Sequence, residues 1–260
     1  MRDLNELKLK DKKYIIFDMD GTLIDSVGVW NRTDQILIER YGGKIIDLDI
    51  IQYDREEFLR SNQSSSIYLE YCRYLIEKYC LSITNSQELL DIRNAVSKET
   101  LKSETDFKPD VVELIRILKE KGFILVLATM TTQVQLDIYS KENKKMLSQM
   151  NIYDVFDYIT SSDDVKNKKP DPEIYLTIMN RYGADPSKCL VFEDSYTGVL
   201  ASKNACIEVV NVYDKYADGE RDRIDEITDY KISNYGEFID FVENLYGSHL
   251  VKEGKWKELQ

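Results

Sequence analysis

The chain has 260 residues, 43% hydrophobic and 11% aromatic, which is enough apolar material for a sizeable core and excludes disorder in its bulk. At roughly 150 residues per domain, one large domain or two smaller ones are expected. Thirty-five Lys and Arg against 47 Asp and Glu leave a formal charge of −12, which disfavours nucleic acid and anionic membranes as partners and means that a phosphorylated small molecule would need locally placed cations and a metal.

One histidine, His249, excludes zinc sites built on several imidazoles; so close to the C-terminus it reads as an ordinary polar residue. Cys72, Cys80, Cys189 and Cys206 form no CxxC pair, against a zinc ribbon or a thioredoxin motif. Cys189 and Cys206 flank apolar runs and are expected to be buried thiols of a reducing compartment. The N-terminal segment lacks the apolar stretch of a signal peptide. The longest strongly apolar run, Phe123 to Ala128, is far short of a membrane span. A soluble, cytoplasmic protein is expected, and the acidic surface suits a monomer.

The first predicted strand, Tyr14 to Phe17, runs into Asp18-Met19-Asp20-Gly21-Thr22. Two carboxylates at the carboxyl end of a buried strand sit where open α/β sheets bind ligands, although an acidic turn after a strand is also common. From Val27 to Asp106 no convincing strand occurs. Tyr68, Tyr71, Cys72, Leu75 and Tyr79 have helical spacing, Asn85 to Thr100 reads as helix, and Ser64 to Ser66 read as a connecting loop. An all-helical insert over 27–106 is therefore expected within a core made of 1–26 and 107–260.

Pro109 is placed to open the next helix at its first position and Gly122 to close it, with Val111, Leu114, Ile115 and Leu118 as the apolar stripe. The second strand, Phe123 to Ala128, ends in Thr129-Met130-Thr131-Thr132. The Thr129 hydroxyl and the backbone N–H groups that follow, Met130 first, could hold a phosphate; Thr131 or Thr132 could equally cap a helix from about Gln133. A third strand is expected at Val155 to Ile159, leading into Ser161 to Asp164 and the run Lys166-Asn167-Lys168-Lys169-Pro170. Lysine runs usually face solvent, but Lys169 is fixed beside Pro170 on the same sheet edge. A helix from Asp171-Pro172 to Gly183 follows.

The fourth strand, Cys189 to Phe192, ends in Glu193-Asp194, with Ser195 as a helix N-cap, and a fifth covers Val209 to Val212. In a parallel sheet four carboxylates would then crowd one edge. At about 4 Å, each like-charged pair costs on the order of 4 kcal/mol at an effective dielectric of about 20. A divalent cation relieves this most simply, and all-oxygen ligands favour Mg²⁺ over zinc. Uninterrupted apolar strands alternating with helices predict an α/β fold with a parallel sheet.

Four pieces in this order resemble the haloacid dehalogenase superfamily: Phe-Asp18-Met-Asp20-Gly-Thr-Leu, Leu-Ala-Thr129, Lys169-Pro170-Asp171-Pro172 and Val-Phe-Glu193-Asp194-Ser-Tyr-Thr-Gly198-Val. The resemblance covers about residues 12 to 235, including Thr228 to Ile232. It implies a Rossmann-like parallel core with an inserted helical cap, near the β-phosphoglucomutase-like and sugar-phosphate phosphatase branch. Carried over residue by residue, it makes Asp18 the nucleophile and a metal ligand. Asp20 becomes general acid and base, with its backbone carbonyl on Mg²⁺. Thr129 binds phosphate, Lys169 neutralises charge, Asp194 is a metal ligand, and Glu193 is a second or alternative one. An aspartate nucleophile is ionised at neutral pH and needs no histidine base, which suits a chain with one histidine.

Dehalogenases of this fold lack the second aspartate, which is present here as Asp20. A signalling receiver is shorter and carries its acceptor on a later strand, and a silent binding protein would not have every chemical position filled. The choice left is phosphatase against phosphosugar mutase. Such mutases usually carry a histidine just beyond the first motif, whereas Asp25-Ser-Val-Gly-Val-Trp30 has none and resembles the sugar-phosphate phosphatases. Hydrolysis of a small phosphorylated metabolite is therefore expected. Trp30 could contact that substrate or simply pack. Arg32, Arg60, Arg93 and the Ser64 loop are further specificity candidates. Two departures stand out: Cys206 where the family often has glycine, and Lys168 where glycine often precedes the lysine.

Overall fold

The computed structural model describes residues 2–62, 64 and 66–247, with only the backbone at Arg60. His249, Ser65 and the Arg60 side chain lie outside the described residues. Two compact units form: Ser26–Thr105, and the residues on either side of it. No helix among the described residues is long and apolar enough to cross a membrane.

Among the described residues, the unit Ser26–Thr105 contains four helices: α1 (Val27–Gly42), α2 (Leu48–Ser61), α3 (Ile67–Tyr79) and α4 (Ser86–Ser103). Asp47 and Asn85 start α2 and α4 by accepting backbone N–H bonds from their first turns. Leu37 and Ile38 of α1 pack with Ile51, Leu75 and Leu89 in one apolar core. A charged group is buried beside it. Asp34, wholly buried, accepts from Arg93 Nε at 2.7 Å and from the Tyr71 hydroxyl at 3.0 Å. The Arg93 guanidinium also lies 5.2 Å from the Trp30 ring centroid.

The other unit is built on one parallel sheet of six strands: β1 (Tyr14–Phe17), β2 (Ile124–Ala128), β3 (Tyr158–Thr160), β4 (Cys189–Glu193), β5 (Glu208–Val212) and β6 (Tyr230–Ile232), in the order β3-β2-β1-β4-β5-β6. This is the doubly wound, Rossmann-like order, and it reverses at β1, so the crevice between the carboxyl ends of β1 and β4 is the ligand edge. Side chains alternate between faces. Tyr14 and Ile16 pack with Ile174 and Ile178, while Phe17 stacks on Phe192 (4.7 Å between centroids), which meets Phe238 edge-on.

Helix α5 (Val111–Glu120) begins two residues after Pro109, not at it. Asp110 holds φ +66°, and the Lys108 N–H bonds Leu23 O, so a turn precedes the helix. Thr132 caps α6 (Gln133–Asp137). A π-helical turn, Ile138–Glu142, leads on to α7 (Lys144–Leu147) and α8 (Ile152–Val155). The expected strand at Val155 is corrected here. Asn151 accepts the Tyr153 N–H and starts α8, whose last residue Val155 is buried; its apolar character reports burial, and β3 begins only at Tyr158.

Helix α9 (Glu173–Tyr182) ends at Gly183, Ser195 caps α10 (Tyr196–Asn204), and α11 (Arg221–Ile227) and α12 (Tyr235–Tyr246) complete the unit. Cys189 is buried, but Cys206 is exposed, against expectation. Its neighbours Ala205 and Ile207 turn inward, and the backbone between them reverses at φ +59°.

Candidate active site

β1 and β4 lie side by side with Phe17 opposite Phe192, so Asp18 leaves the sheet next to Glu193 and Asp194. The Asp18 N–H continues the ladder to Phe192 O at 3.0 Å. The chain then turns tightly, with the N–H groups of Leu23 and Ile24 both reaching Met19 O. Gly21 sits in that turn at φ +78°, where a Cβ would collide with the Asp194 carboxylate. Its absence lets Asp194 approach, and Thr22 Oγ1 donates to Asp194 Oδ1 at 2.8 Å.

Lys169, beside the cis Lys169–Pro170 bond, has a side chain only 4% exposed that reaches the same edge. Its Nζ lies 2.6 Å from Asp18 Oδ1 and 2.5 Å from Glu193 Oε1, and donates to Ala128 O at 3.0 Å. Glu193 also accepts from the Tyr175 hydroxyl at 3.2 Å. Asp18, Glu193 and Asp194 each offer an oxygen within 4.8 Å of one another, and all three are buried.

Fully ionised, three carboxylates against one ammonium would leave a net −2 in a buried place. Burial and the charge of Glu193 push the Asp18 carboxyl well above the ordinary range, against the pull of Lys169. Burial, then Glu193, push Asp194 up to about 8. Burial would lower the Lys169 ammonium, but Asp18 and Glu193 outweigh it and hold the charge firmly on. A buried, carboxylate-rich, all-oxygen cluster with excess negative charge fits a hard divalent cation, and Mg²⁺ among these.

The Asp20 side chain takes a different direction. Thr131 Oγ1 donates to Asp20 Oδ2, and the buried Tyr139 hydroxyl lies 3.5 Å from Oδ1. Thus Thr132 is the helix cap, whereas Thr131 binds an acid. Thr129 is fully buried, with its N–H on Thr160 O and its Oγ1 accepting the Thr131 N–H at 3.0 Å. Its own hydroxyl proton is left for another acceptor. Met130 is half-buried and packs against the sheet core. Trp30 belongs to the helical unit, where its partner is Arg93.

Sequence reasoning missed Thr22, Tyr139, Tyr175 and Asn211, whose Nδ2 donates to the carbonyls of Glu193 and Asp194. Only Thr22, inside the first motif, carried a local signal. Gly198 of the fourth motif answers to crowding: a Cβ there would overlap the Glu193 carboxylate, which is held by Lys169 and Tyr175 and has little room to move. Gly198→Ala is expected to cost about 1–3 kcal/mol of stability, read as a lower urea midpoint, and to weaken catalysis by displacing Lys169. An unchanged midpoint would contradict the crowding.

Residues 12–205 match the haloacid dehalogenase-like hydrolase family. The chain is 33% identical to a phosphorylated carbohydrates phosphatase of Thermotoga maritima, over 75% of its own length and 82% of that protein's. It is 28% identical to hexitol phosphatase B of Escherichia coli, over 73% and 78% of the two chains. Among solved structures, a candidate β-phosphoglucomutase of Thermotoga maritima superposes with a TM-score of 0.71 at 28% identity, covering 90% of this chain and 99% of that one.

Proposed function

The chain belongs to the haloacid dehalogenase-like hydrolases, and from that premise we propose that it is a Mg²⁺-dependent phosphatase that hydrolyses a small phosphorylated metabolite, a sugar phosphate by preference, through an aspartyl phosphate on Asp18. The observation that carries this reading is the meeting of Asp18, Lys169 and Asp194 at the reversal point of the sheet. The relatives that act on phosphorylated carbohydrates and hexitol phosphates support the substrate class.

Asp18, Asp194, the Asp20 carbonyl and, as a further or alternative ligand, Glu193 would hold the cation. Bound there, Mg²⁺ supplies positive charge against the transferring phosphoryl oxygens. The Asp18 oxygen not engaged by Lys169 attacks phosphorus, and Lys169 balances the charge that gathers on the phosphoryl group. The Thr129 hydroxyl and the Met130 N–H orient the phosphate. Asp20 protonates the departing ester oxygen, then takes a proton from the water that cleaves the aspartyl phosphate, regenerating Asp18 and releasing inorganic phosphate.

Trp30 and Arg32 are proposed to bear on which sugar is taken, whereas Arg93 is buried and taken up by Asp34. No nucleic acid or membrane takes part, and the enzyme works in the cytoplasm as a monomer. The test is a phosphate-release screen over sugar phosphates, hexitol phosphates and nucleotides with Mg²⁺. Release from sugar or hexitol esters is expected, and an equal or greater rate on nucleotides would overturn the substrate class. Conversion of β-glucose 1-phosphate with a bisphosphate primer, without net phosphate release, would instead establish a mutase, the activity suggested by the name of the superposed structure.

A further inference from the structure

We propose that Thr131, supported by Tyr139, is a positioning residue that fixes the orientation of the Asp20 carboxyl from which it hands a proton to the leaving group. This rests on the phosphatase reading above and deepens it.

Thr131 is pinned at every polar atom. Its N–H donates to Thr129 Oγ1 at 3.0 Å, its carbonyl accepts from the Ser162 N–H at 3.2 Å, and its hydroxyl donates to Asp20 Oδ2. With the backbone held at both ends, the hydroxyl is a pre-set support. Held from this side, the carboxyl keeps one orientation from which to hand on its proton. Tyr139, 2% exposed, adds a second hydroxyl on the other side, donating to Oδ1 at 3.5 Å. It stands in the π-helical turn, where the Asn143 N–H reaches back five residues to Ile138 O. Such turns are frequent at functional sites.

In the step concerned, the Asp18 oxygen bonds to phosphorus and the ester P–O bond breaks with its electron pair going to the leaving oxygen. The Asp20 proton passes to that oxygen, giving an alcohol and leaving Asp20 as a carboxylate. Rotation of the carboxyl would aim the proton elsewhere. The penalty should then follow the need for protonation: large for a basic leaving group, small for one that departs readily as an anion.

The experiment compares kcat/KM for phenyl phosphate and p-nitrophenyl phosphate, two esters of similar shape, in wild type, Thr131→Val, Thr131→Ser and Tyr139→Phe, with the inhibition constant for inorganic phosphate alongside. Because kcat/KM covers the steps through leaving-group departure, the later hydrolysis of the phosphoenzyme does not enter. Thr131→Val is expected to lose about tenfold more on phenyl phosphate than on p-nitrophenyl phosphate, with phosphate inhibition unchanged. Thr131→Ser should restore most of that loss, and Tyr139→Phe should show the same selectivity more weakly.

Equal losses on both esters, or a weakened affinity for inorganic phosphate that accounts for the loss, would overturn the assignment and make Thr131 a phosphate ligand or a packing residue. If Thr131→Val does not fold, the ester selectivity of Tyr139→Phe decides. The parent reading fails separately: an active Asp18→Asn protein would sink the nucleophile, while an inactive one beside equal ester losses would sink only the positioning role.

Discussion

Asp18→Asn is expected to lower turnover by on the order of 10⁴- to 10⁶-fold, the scale seen when a covalent nucleophile is removed, while raising the melting temperature of the metal-free protein. The two effects have one origin. Asp18 supplies the attacking electron pair, and the amide oxygen of asparagine is neutral and a poor nucleophile. Yet the ionised carboxylate is the unwelcome member of a buried trio. Its acidity is suppressed by burial and by Glu193, and one ammonium serves both carboxylates. Asparagine keeps the shape and removes one like charge, and Lys169 retains Glu193 at 2.5 Å and the Ala128 carbonyl at 3.0 Å. Phosphate-release assays and thermal melts in EDTA check both halves. Activity within tenfold of wild type would remove Asp18 from the chemistry, and a fall in melting temperature would mean that the Lys169 contact outweighs the repulsion.

The second large effect concerns the metal. Stripping with EDTA should reduce turnover to background and Mg²⁺ should restore it, and the stabilisation conferred by Mg²⁺ should grow as pH rises from about 6 to about 8. The sign follows from Asp194. In the unfolded chain its carboxyl ionises near the ordinary value of 3.8; in the folded, metal-free protein it holds its proton up to about 8. Between those values the folded state binds more protons, so the metal-free protein loses stability as pH rises through that window, by up to about 1.4 kcal/mol per pH unit for this group. A bound cation favours the ionised form and cancels the loss. Melting temperatures with EDTA and with excess Mg²⁺ across that range test this. A Mg²⁺ shift that shrinks towards pH 8, or activity that survives chelation, would contradict a cation held by Asp18 and Asp194.

Much of the sheet was legible because a strand buried on both faces must be apolar without interruption, as at Tyr14–Phe17 and from Cys189 to Phe192, both buried throughout. That signal measures burial rather than conformation, and it failed where the two part: Val155 is buried in a helix, and Cys206 adjoins apolar residues yet turns outward. The helices at Ile67–Tyr79 and Ser86–Ser103 were readable in the sequence, but the ion pair of Arg93 with Asp34 was not, since the partners are 59 residues apart.

From its own residues the chain determined an α/β class, the acidic and hydroxyl-bearing tips of its strands and a need for compensating positive charge, because burial period, turn chemistry and charge are local properties. Only the tertiary structure decided which tips adjoin. Placing β1 between β2 and β4 brings Lys169 to Asp18 across 151 residues and Thr22 to Asp194 across 172, and sets Thr131 on Asp20. Strand order is a property of how whole layers pack, and no short window of sequence records it.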